Sequence, residues 1–192
     1  IESAAKQLGF PLGPIQLVDE TSIELGAKIA RATKAAMGAL YPNEQIDEIL
    51  FWMESEGRLG RKAGAGFFNY NEKGKREGFW KGLQKKYPLS KTIPAFKDVQ
   101  HRLMFVQALE AVRALEEGVL MDIREGDVGA ILGWGFAPWS GGPLSWLDIL
   151  GTPYAAERCQ ALCETYGPRF ECPPLLADMG KNNEAFYERF SP

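Results

Sequence analysis

The sequence has few of the side chains that metal sites and disulfide frameworks require. Its 192 residues include one histidine, His101, and three cysteines, Cys159, Cys163 and Cys172, with no Cys-x-x-Cys pair. One histidine and an odd number of thiols make a poor set of zinc ligands, so we predict no metal site. Reduced thiols are typical of intracellular proteins, and we expect that location here, the cytoplasm if the source is bacterial.

The sequence also lacks the patterns of nucleotide cradles and membrane spans. It has no GxGxxG and no GxxxxGKS/T, and the glycine-rich KAGAGFF at 62–68 has the wrong spacing for a phosphate loop. No apolar run approaches the ~20 residues that a membrane helix needs. The net charge of −3 and the pI near 5.4 give no general attraction to nucleic acid. We therefore expect neither a membrane span nor a nucleic-acid partner.

One local stretch leaves an alternative open. Residues 73–86 are rich in lysine and arginine, and Phe79 and Trp80 lie among them. Such a stretch could bind phosphates of a nucleotide-like ligand or a nucleic acid. Glu72 and Glu77 dilute its charge, and a solvated helix face is the favoured interpretation.

A loop-to-helix pattern occurs twice in the chain. Residues 9–19 read GFPLGPIQLVD and residues 135–148 read GFAPWSGGPLSWLD. Each copy opens with Gly-Phe, reaches Gly-Pro and closes on an aspartate. The flanking segments also align, 1–8 with 127–134 and 59–70 with 176–187. An internal repeat of this kind predicts two related units, at 1–87 and 95–192, joined by PLSKTIP at 88–94.

Helical spacing and capping signals dominate both units, and strand signals are nearly absent. In the first unit, the predicted helices are 2–8, a short one from Pro14, one that begins at the capping box Thr21-Ser-Ile-Glu24 and ends at Gly38, 43–56 and about 77–87. In the second unit, they are about 95–117, one that begins at the capping box Asp122-x-x-Glu125, and 152 to about 167. NEKG at 71–74 predicts a turn, with Phe67, Phe68 and Tyr70 packed inward before it. The predicted fold class is all-α, as two related helical repeats.

The two repeats differ in length at their start. Residues 98–126 precede the stretch of the second copy that aligns with Ile1, and the first copy has no counterpart of them. We therefore expect that the first repeat lacks its long N-terminal helix, and that the chain is the C-terminal piece of a larger protein.

The repeated loop contains the candidate binding residues. Glycines and prolines fix its conformation and direct a helix N-terminus, which attracts an anion or a carbonyl oxygen. The alternative is that the loop is only a rigid corner between two helices. For the first copy, ligand binding and the structural corner both remain open; for the second copy, the structural corner is favoured. The candidates for substrate binding are the six residues of the first loop, Gly9, Phe10, Pro11, Leu12, Gly13 and Pro14.

The sole histidine is a weak candidate for acid–base chemistry. Asp98 is the only carboxylate at helical neighbour spacing from His101. A solvent-facing or partner-facing histidine is favoured, and no catalytic constellation is visible.

The combined motifs resemble a known family. GFPLGPIQLVD followed by GRLGRKAGAGFFNY at 57–70 is similar to the C-terminal domain of 3-hydroxyacyl-CoA dehydrogenases. EAVRALEEGVL at 110–120, the second loop, and residues 166–187 resemble the tandem C-terminal region of multifunctional fatty-acid oxidation enzymes. Those enzymes carry enoyl-CoA hydratase and 3-hydroxyacyl-CoA dehydrogenase on one polypeptide. The resemblance covers essentially the whole chain.

The resemblance implies that the catalytic groups lie elsewhere. The family's NAD-binding Rossmann domain and catalytic His-Glu pair are upstream, and its active-site Asn-Arg pair belongs to the helix that would precede Ile1. The second copy has His101-Arg102 at that position. The resemblance places the loop Gly9–Pro14 beside the acyl-CoA pocket. It thus implies no catalytic residue, no metal and no cofactor bound by this piece, with NAD in the full-length enzyme.

Two classes of function follow. The first is the helical part of an NAD-dependent 3-hydroxyacyl-CoA dehydrogenase of β-oxidation, inactive alone, which closes the acyl-CoA cleft. Its second repeat would replace the partner subunit of stand-alone relatives. The expected partners are the acyl-CoA substrate, the upstream Rossmann domain and a thiolase subunit. The alternative is a helical protein-interaction module without catalytic context.

Overall fold

The computed structural model describes residues 1–41 and 44–191, and helices dominate this part of the chain. The α-helices are α1 Glu2–Gln7, α2 Pro14–Thr21, α3 Ile23–Met37, α4 Glu44–Ser55, α5 Lys81–Lys86, α6 Phe96–Glu116, α7 Ile123–Trp134, α8 Pro143–Leu150, α9 Thr152–Tyr166, α10 Pro174–Asn182 and α11 Phe186–Arg189. A short antiparallel hairpin joins β1 Phe68–Tyr70 to β2 Arg76–Phe79. The all-α prediction is confirmed, with this hairpin as a local addition.

The chain divides into two compact units. The N-terminal unit contains Glu2 and Leu12–Ile93, and the C-terminal unit contains Ile1, Ser3–Pro11 and Pro94–Pro192. The boundary near residue 93 falls in the predicted linker, whereas residues 3–11 pack with the C-terminal unit. The division into repeats at 1–87 and 95–192 stays a prediction. Asn43, in the predicted helix 43–56, and Pro192 lie outside the described residues.

The core of the N-terminal unit forms where α3 and α4 pack together beside the hairpin. Its buried side chains are Ile23, Met53, Phe67 and Phe68. The predicted inward packing of Phe67 and Phe68 is thus confirmed, and Tyr70 is half-buried beside them. Burial of these apolar groups is the main stabilising term in this unit.

The core of the C-terminal unit is larger and centres on α6. This helix buries Phe105 and Leu109 completely, and the ring of Phe105 lies edge-on to Trp146 of α8 with centroids 4.9 Å apart. The predicted long helix over 95–117 is confirmed as α6. The predicted capping box is also present, because the Asp122 side chain accepts from the Arg124 N–H and Glu125 accepts from the Asp122 N–H.

The predicted capping box at Thr21–Glu24 is wrong by one residue. Thr21 is the last residue of α2, and its hydroxyl donates to the Leu17 carbonyl oxygen at 3.0 Å. Ser22 is the N-cap of α3 and accepts from the Leu25 N–H. Ser22 also donates to the Leu59 carbonyl, so a distant segment of the chain fixes the start of α3.

The predicted helix at 77–87 is wrong in its first half. Residues 76–79 form β2, and the helix α5 begins only at Lys81. The reason is the hairpin: Phe79 stacks on Phe68 with ring centroids 4.1 Å apart, and the Trp80 N–H donates to the Phe67 carbonyl. This cross-strand pairing outweighs the local helical tendency. The turn at 71–74 is confirmed, because the Gly74 N–H donates to the Asn71 carbonyl.

Candidate functional site

The candidate loop begins in the C-terminal unit, where an aromatic environment holds it. Gly9 ends α1 with a φ of +89°, and an added Cβ would lie 3.3 Å from the Trp139 ring. The indole N–H of Trp139 donates to the Leu8 carbonyl at 2.6 Å. Phe10 lies edge-on to Phe136, with ring centroids 5.7 Å apart. These contacts hold the first half of the loop in one conformation.

The second half of the loop belongs to the N-terminal unit and leads into α2. Pro14 is the first residue of this helix, and Glu2 caps it: the Glu2 Oε1 accepts from the Ile15 N–H at 2.7 Å and from the Gln16 N–H at 3.4 Å. An added Cβ on Gly13 would lie 2.3 Å from the Glu2 carboxyl group. Glycine is therefore required at position 13 because the carboxylate lies against its backbone.

The C-terminal unit repeats this arrangement at the second loop. Asp127 of α7 accepts from the Leu144 N–H at 2.7 Å and from the Ser145 N–H at 3.0 Å, at the start of α8. An added Cβ on Gly142 would lie 2.4 Å from the Asp127 Cβ. Both Gly-Pro sequences thus mark a helix N-terminus that is closed by a carboxylate from the preceding helix.

In both units a second aspartate accepts hydrogen bonds from two consecutive backbone N–H groups. Asp19, at the end of the first motif, is buried and accepts from the Phe67 and Phe68 N–H groups at 2.7 and 2.9 Å. Asp148, at the end of the second motif, accepts from the Phe186 and Tyr187 N–H groups at 2.6 and 3.1 Å. The terminal aspartates of the two motifs therefore bind backbone donors of the two segments that the repeat alignment pairs, 59–70 and 176–187.

Two tyrosines also donate to these carboxylates, one to the terminal aspartate of the first motif and one to the capping aspartate of the second. The Tyr70 hydroxyl donates to Asp19 at 2.9 Å, and the Tyr187 hydroxyl donates to Asp127 at 3.0 Å. Burial, with the neighbouring carboxylate, raises the pKa of both tyrosines. Both phenols stay protonated at neutral pH and act as hydrogen-bond donors.

These contacts limit what the loop can do chemically. The sequence predicted that the helix N-terminus after Gly13-Pro14 could attract an anion, and the structure shows the Glu2 carboxylate already bound there. A ligand can instead contact the exposed backbone at Gly9 and Pro11 and the half-buried side chains of Phe10 and Leu12. Apart from its backbone groups, each half of the loop offers only apolar side chains to a ligand.

His101 lines an open cavity of about 500 Å³ in the C-terminal unit. Its Nδ1 accepts from the Arg158 Nε–H at 3.3 Å, and Arg158 also donates to Asp98 at 2.5 Å. Burial lowers the pKa of His101, and the positive charge of Arg158 adds to this effect. The Tyr166 hydroxyl, followed by Arg158, lowers the pKa of Asp98 despite its partial burial. The histidine is therefore a neutral acceptor in an ion-pair network.

The basic stretch and the possible metal ligands form no further candidate site in the described residues. The side chains of the basic stretch 73–86 are mostly exposed, and Arg76 pairs with Glu2 at 3.7 Å. Among residues 1–41 and 44–191, no group of three or more His, Cys, Asp or Glu could hold a metal ion. No described helix is both long enough and apolar enough to cross a membrane.

Sequence reasoning missed the capping carboxylates Glu2 and Asp127. The repeat alignment paired Asp127 with Ile1 and so placed the two acids one position out of register. No shared spacing to Gly-Pro marked the two acids, because Glu2 precedes Gly13 by 11 residues whereas Asp127 precedes Gly142 by 15. The longer loop of the second copy concealed the match.

Three comparisons relate the chain to known proteins. Residues 1–70 match the family model of the 3-hydroxyacyl-CoA dehydrogenase C-terminal domain. The fatty acid oxidation complex subunit alpha of Vibrio vulnificus is 37% identical over 193 residues, which cover 98% of this chain and 26% of that protein. The chain thus spans about a quarter of the length of this curated relative.

Two solved structures share the fold. The 3-hydroxybutyryl-CoA dehydrogenase of Escherichia coli matches with a TM-score of 0.64 at 18% identity, over 95% of this chain and 54% of the other. The dehydrogenase part of multifunctional enzyme 1 from C. elegans matches with a TM-score of 0.65 at 24% identity, over 96% and 41%. At these identities the two structures show a shared fold, and the family-model match relates residues 1–70 to the C-terminal domain of 3-hydroxyacyl-CoA dehydrogenases.

Proposed function

We propose that this chain is the C-terminal helical region of an NAD-dependent 3-hydroxyacyl-CoA dehydrogenase of β-oxidation. The complete protein would oxidise 3-hydroxyacyl-CoA to 3-ketoacyl-CoA. The observation that supports this most strongly is the 37% identity to the fatty acid oxidation subunit, which extends over 98% of the chain. An enoyl-CoA hydratase activity on the same polypeptide, as in the multifunctional relatives, belongs to the same proposal.

We infer that the described residues of this chain hold no NAD. A dinucleotide pyrophosphate needs free backbone donors at a helix N-terminus, usually after a GxGxxG loop. The sequence has no such loop, and Glu2 and Asp127 already accept from the first N–H groups of α2 and α8. Because NAD accepts the hydride in such a reaction, we assign that step to residues outside this chain.

We propose that Gly9–Pro14 forms part of the wall of the acyl-CoA pocket in the complete protein. Trp139 and Phe136 hold its first half, and Glu2 holds its second half against α2. An apolar wall excludes water and helps to position an acyl-CoA without supplying acid or base. We therefore assign a positioning role to the loop and no proton-transfer role.

The activity test uses the protein at the length of its relatives. We expect NADH formation with 3-hydroxyacyl-CoA, and we expect Leu12→Ala to raise the KM for the acyl-CoA several-fold while the KM for NAD stays unchanged. The matched control is Leu89→Ala, because Leu89 is 82% exposed in the linker. A full-length protein without dehydrogenase activity would contradict the proposed function, and an unchanged acyl-CoA KM in Leu12→Ala would contradict only the role of the loop.

A calorimetric titration of the 192-residue chain with NAD complements this test. We expect no saturable heat, because residues 1–41 and 44–191 show no pyrophosphate cradle of the usual kind. Saturable binding would show that part of the cofactor site lies within these residues and would overturn their assignment as a cofactor-free region.

The partners and location follow from the same relationship as proposals. The relative is named as a subunit of a complex. We propose a thiolase subunit as partner, the upstream Rossmann domain as neighbour, and an intracellular location. Co-purification of the full-length protein with a thiolase from its native source is the supporting result, and isolation of the protein without one would remove this partner from the proposal.

A helical interaction module is the second candidate. Exposed apolar side chains on α7 support it, since Val128, Leu132 and Trp134 are 52%, 80% and 55% accessible. A full-length protein without a dinucleotide-binding segment would favour this function over the dehydrogenase.

A further inference from the structure

One cavity of the C-terminal unit has no part in the proposed function. It is open, has a volume of about 500 Å³, and is lined by the first turns of α6 and by one face of α9. Lys97, Asp98 and His101 line it from α6, and Tyr154 and Arg158 line it from α9. Cavities of this volume hold small organic molecules. The charges and hydrogen-bond donors of the lining therefore determine which small molecule fits.

The cavity collects positive charge in a unit that is acidic as a whole. Residues 94–192 contain eight lysines and arginines but fourteen aspartates and glutamates. Lys97 and Arg158 line the cavity, and Arg102 lies beside it. Of the fourteen acids, only Asp98 is among the described residues that line it. Three of the eight cations therefore meet one acid here, and the cavity attracts anions.

The neighbouring side chains preserve this imbalance of charge. The guanidinium carbon of Arg102 lies 4.0 Å from the centroid of the Tyr166 ring, and Tyr166 lines the cavity. This contact leaves the charge of Arg102 uncompensated, because the ring carries no net charge. The glutamates of α9, Glu157 and Glu164, line a different groove. Neither of them adds a negative charge to the lining of the cavity.

Asp98 neutralises Arg158 and leaves Lys97 unpaired. The Asp98 carboxylate accepts from the Arg158 Nη2 at 2.5 Å and from the Tyr166 hydroxyl. Lys97 forms no ion pair with residues 1–41 and 44–191, and its side chain is exposed. The ammonium group of Lys97 is thus available to a ligand.

His101 supplies a neutral donor next to this charge. Its Nδ1 accepts from the Arg158 Nε–H at 3.3 Å, and a neutral imidazole that accepts at Nδ1 carries its proton on Nε2. The Nε2–H donates to none of the residues that the structure describes. Arg158 therefore fixes the tautomer of His101 and leaves the Nε2–H for an acceptor on a ligand.

A phosphate group fits this set of donors better than a carboxylate does. A phosphate monoester carries about two negative charges at neutral pH and three acceptor oxygens, so it can accept from an ammonium group and an imidazole N–H together. Apolar residues provide another part of the lining, namely Pro94, Ala95, Ala161 and Leu162. Tyr154, which is 44% exposed, adds an aromatic ring. A small organic group attached to the phosphate therefore has a surface to contact.

We propose that this cavity is a binding site for the phosphate group of a small organic phosphate monoester. Lys97 and His101 contact the phosphate oxygens, and Tyr154 contacts the organic group. Arg102 and Arg158 add positive charge. This role goes beyond the dehydrogenase reaction, and its test does not use that activity.

The sole histidine of the chain is the probe for this test. Phenyl phosphate is titrated into the 192-residue chain in a phosphate-free buffer at neutral pH, and the ring protons of His101 are followed by proton NMR. We expect a saturable shift of these protons, weaker binding of inorganic phosphate, and no saturable shift with phenol. The three ligands separate a phosphate ester from a free phosphate ion and from an aromatic ring alone.

Two variants change the charge of the cavity in opposite directions. Lys97→Ala should weaken the binding of phenyl phosphate about fivefold, because one exposed charged contact is lost. Asp98→Asn should strengthen it by a similar factor, because Arg158 is released from its carboxylate partner. The matched control is Lys181→Ala, which removes an exposed lysine that lines a different groove of the same unit and should leave the affinity unchanged. Because Lys97 is exposed, its variant tests the proposal even if Asp98→Asn does not fold.

Four results would overturn the proposal. Phenyl phosphate at about 10 mM that leaves the His101 resonances unshifted would show that the cavity binds no phosphate ester. An equal loss of affinity in Lys97→Ala and Lys181→Ala would reveal a general effect of charge, and an unchanged affinity in both would place the phosphate outside the cavity. Inorganic phosphate that binds as tightly as phenyl phosphate would exclude the contact with an organic group.

Discussion

The carboxylate of Glu2 lies 2.7 Å from the backbone nitrogen of Ile15, where it closes the N-terminus of α2. Asp127 does the same for Leu144 at the start of α8, also at 2.7 Å. In both units a glycine precedes the helix, and the space of its missing Cβ is taken by the acid. The repeated Gly-Pro is therefore explained by a carboxylate cap that comes from the preceding helix.

The first prediction concerns the coupling of Gly13 and Glu2. The φ of Gly13 is −71°, which alanine also adopts, so the cost of Gly13→Ala should come from displacement of the Glu2 carboxylate. We expect Gly13→Ala to lower the free energy of unfolding by about 1–2 kcal/mol, the magnitude of a lost charged cap. In a Glu2→Ala background the same change should cost under about 0.5 kcal/mol. Urea denaturation of the wild type, the two single variants and the double variant measures this double-mutant cycle. If the costs of the two changes simply add, the proposed cap is contradicted.

The second prediction compares two glycines of the C-terminal unit. Gly142 has a φ of +123°, and its Cβ would collide with Asp127 at 2.4 Å. We expect Gly142→Ala to cost about 3 kcal/mol or more, from backbone strain and loss of the cap together. Gly133 is an exposed residue of α7 with open space around it, so Gly133→Ala should raise stability by up to about 1 kcal/mol. Thermal unfolding of both variants tests this contrast, and similar melting temperatures would refute it.

The third prediction uses the sole histidine as a proton-NMR probe. Because burial and then Arg158 lower the pKa of His101, we expect its ring protons to titrate with a midpoint below 6.5. The folded state then binds fewer protons than the unfolded state, so the contribution of His101 to stability is present above pH 6.5 and is lost as the pH falls below it. Asp98 opposes the shift, and Asp98→Asn should lower the midpoint further.

The exposed Glu72→Gln change provides the control for this titration. Its charge lies outside the His101 cavity, so the midpoint should stay at the wild-type value. A wild-type midpoint above 6.5 would show that the Asp98 carboxylate outweighs burial, and a rise of the midpoint in Asp98→Asn would contradict the expectation that this carboxylate raises the pKa of His101.

Local signals in the sequence were sufficient for most helices. The Asp122-x-x-Glu125 capping box, the break at Gly38 and the Thr152-Pro153 start all appear in the structure as predicted. Such signals depend on residues within one or two turns, which hydrogen-bond to each other wherever the segment lies. The helix predicted at 77–87 was wrong at its start because the partner of Phe79, Phe68, is eleven residues away across a hairpin.

The sequence by itself determined the two copies of the Gly-Phe to Gly-Pro motif, the helical class and the resemblance to one family. Only the tertiary structure decided what the motif does. It placed Glu2 and Asp127 on the helix N-termini and brought Asp98, Arg158 and His101 together. A helix end attracts any acid that the fold brings near, and the choice of that acid depends on the path of a distant segment. A repeat can be recognised from the order of the residues alone, whereas hydrogen-bond partners that are far apart in the chain are determined only by tertiary packing.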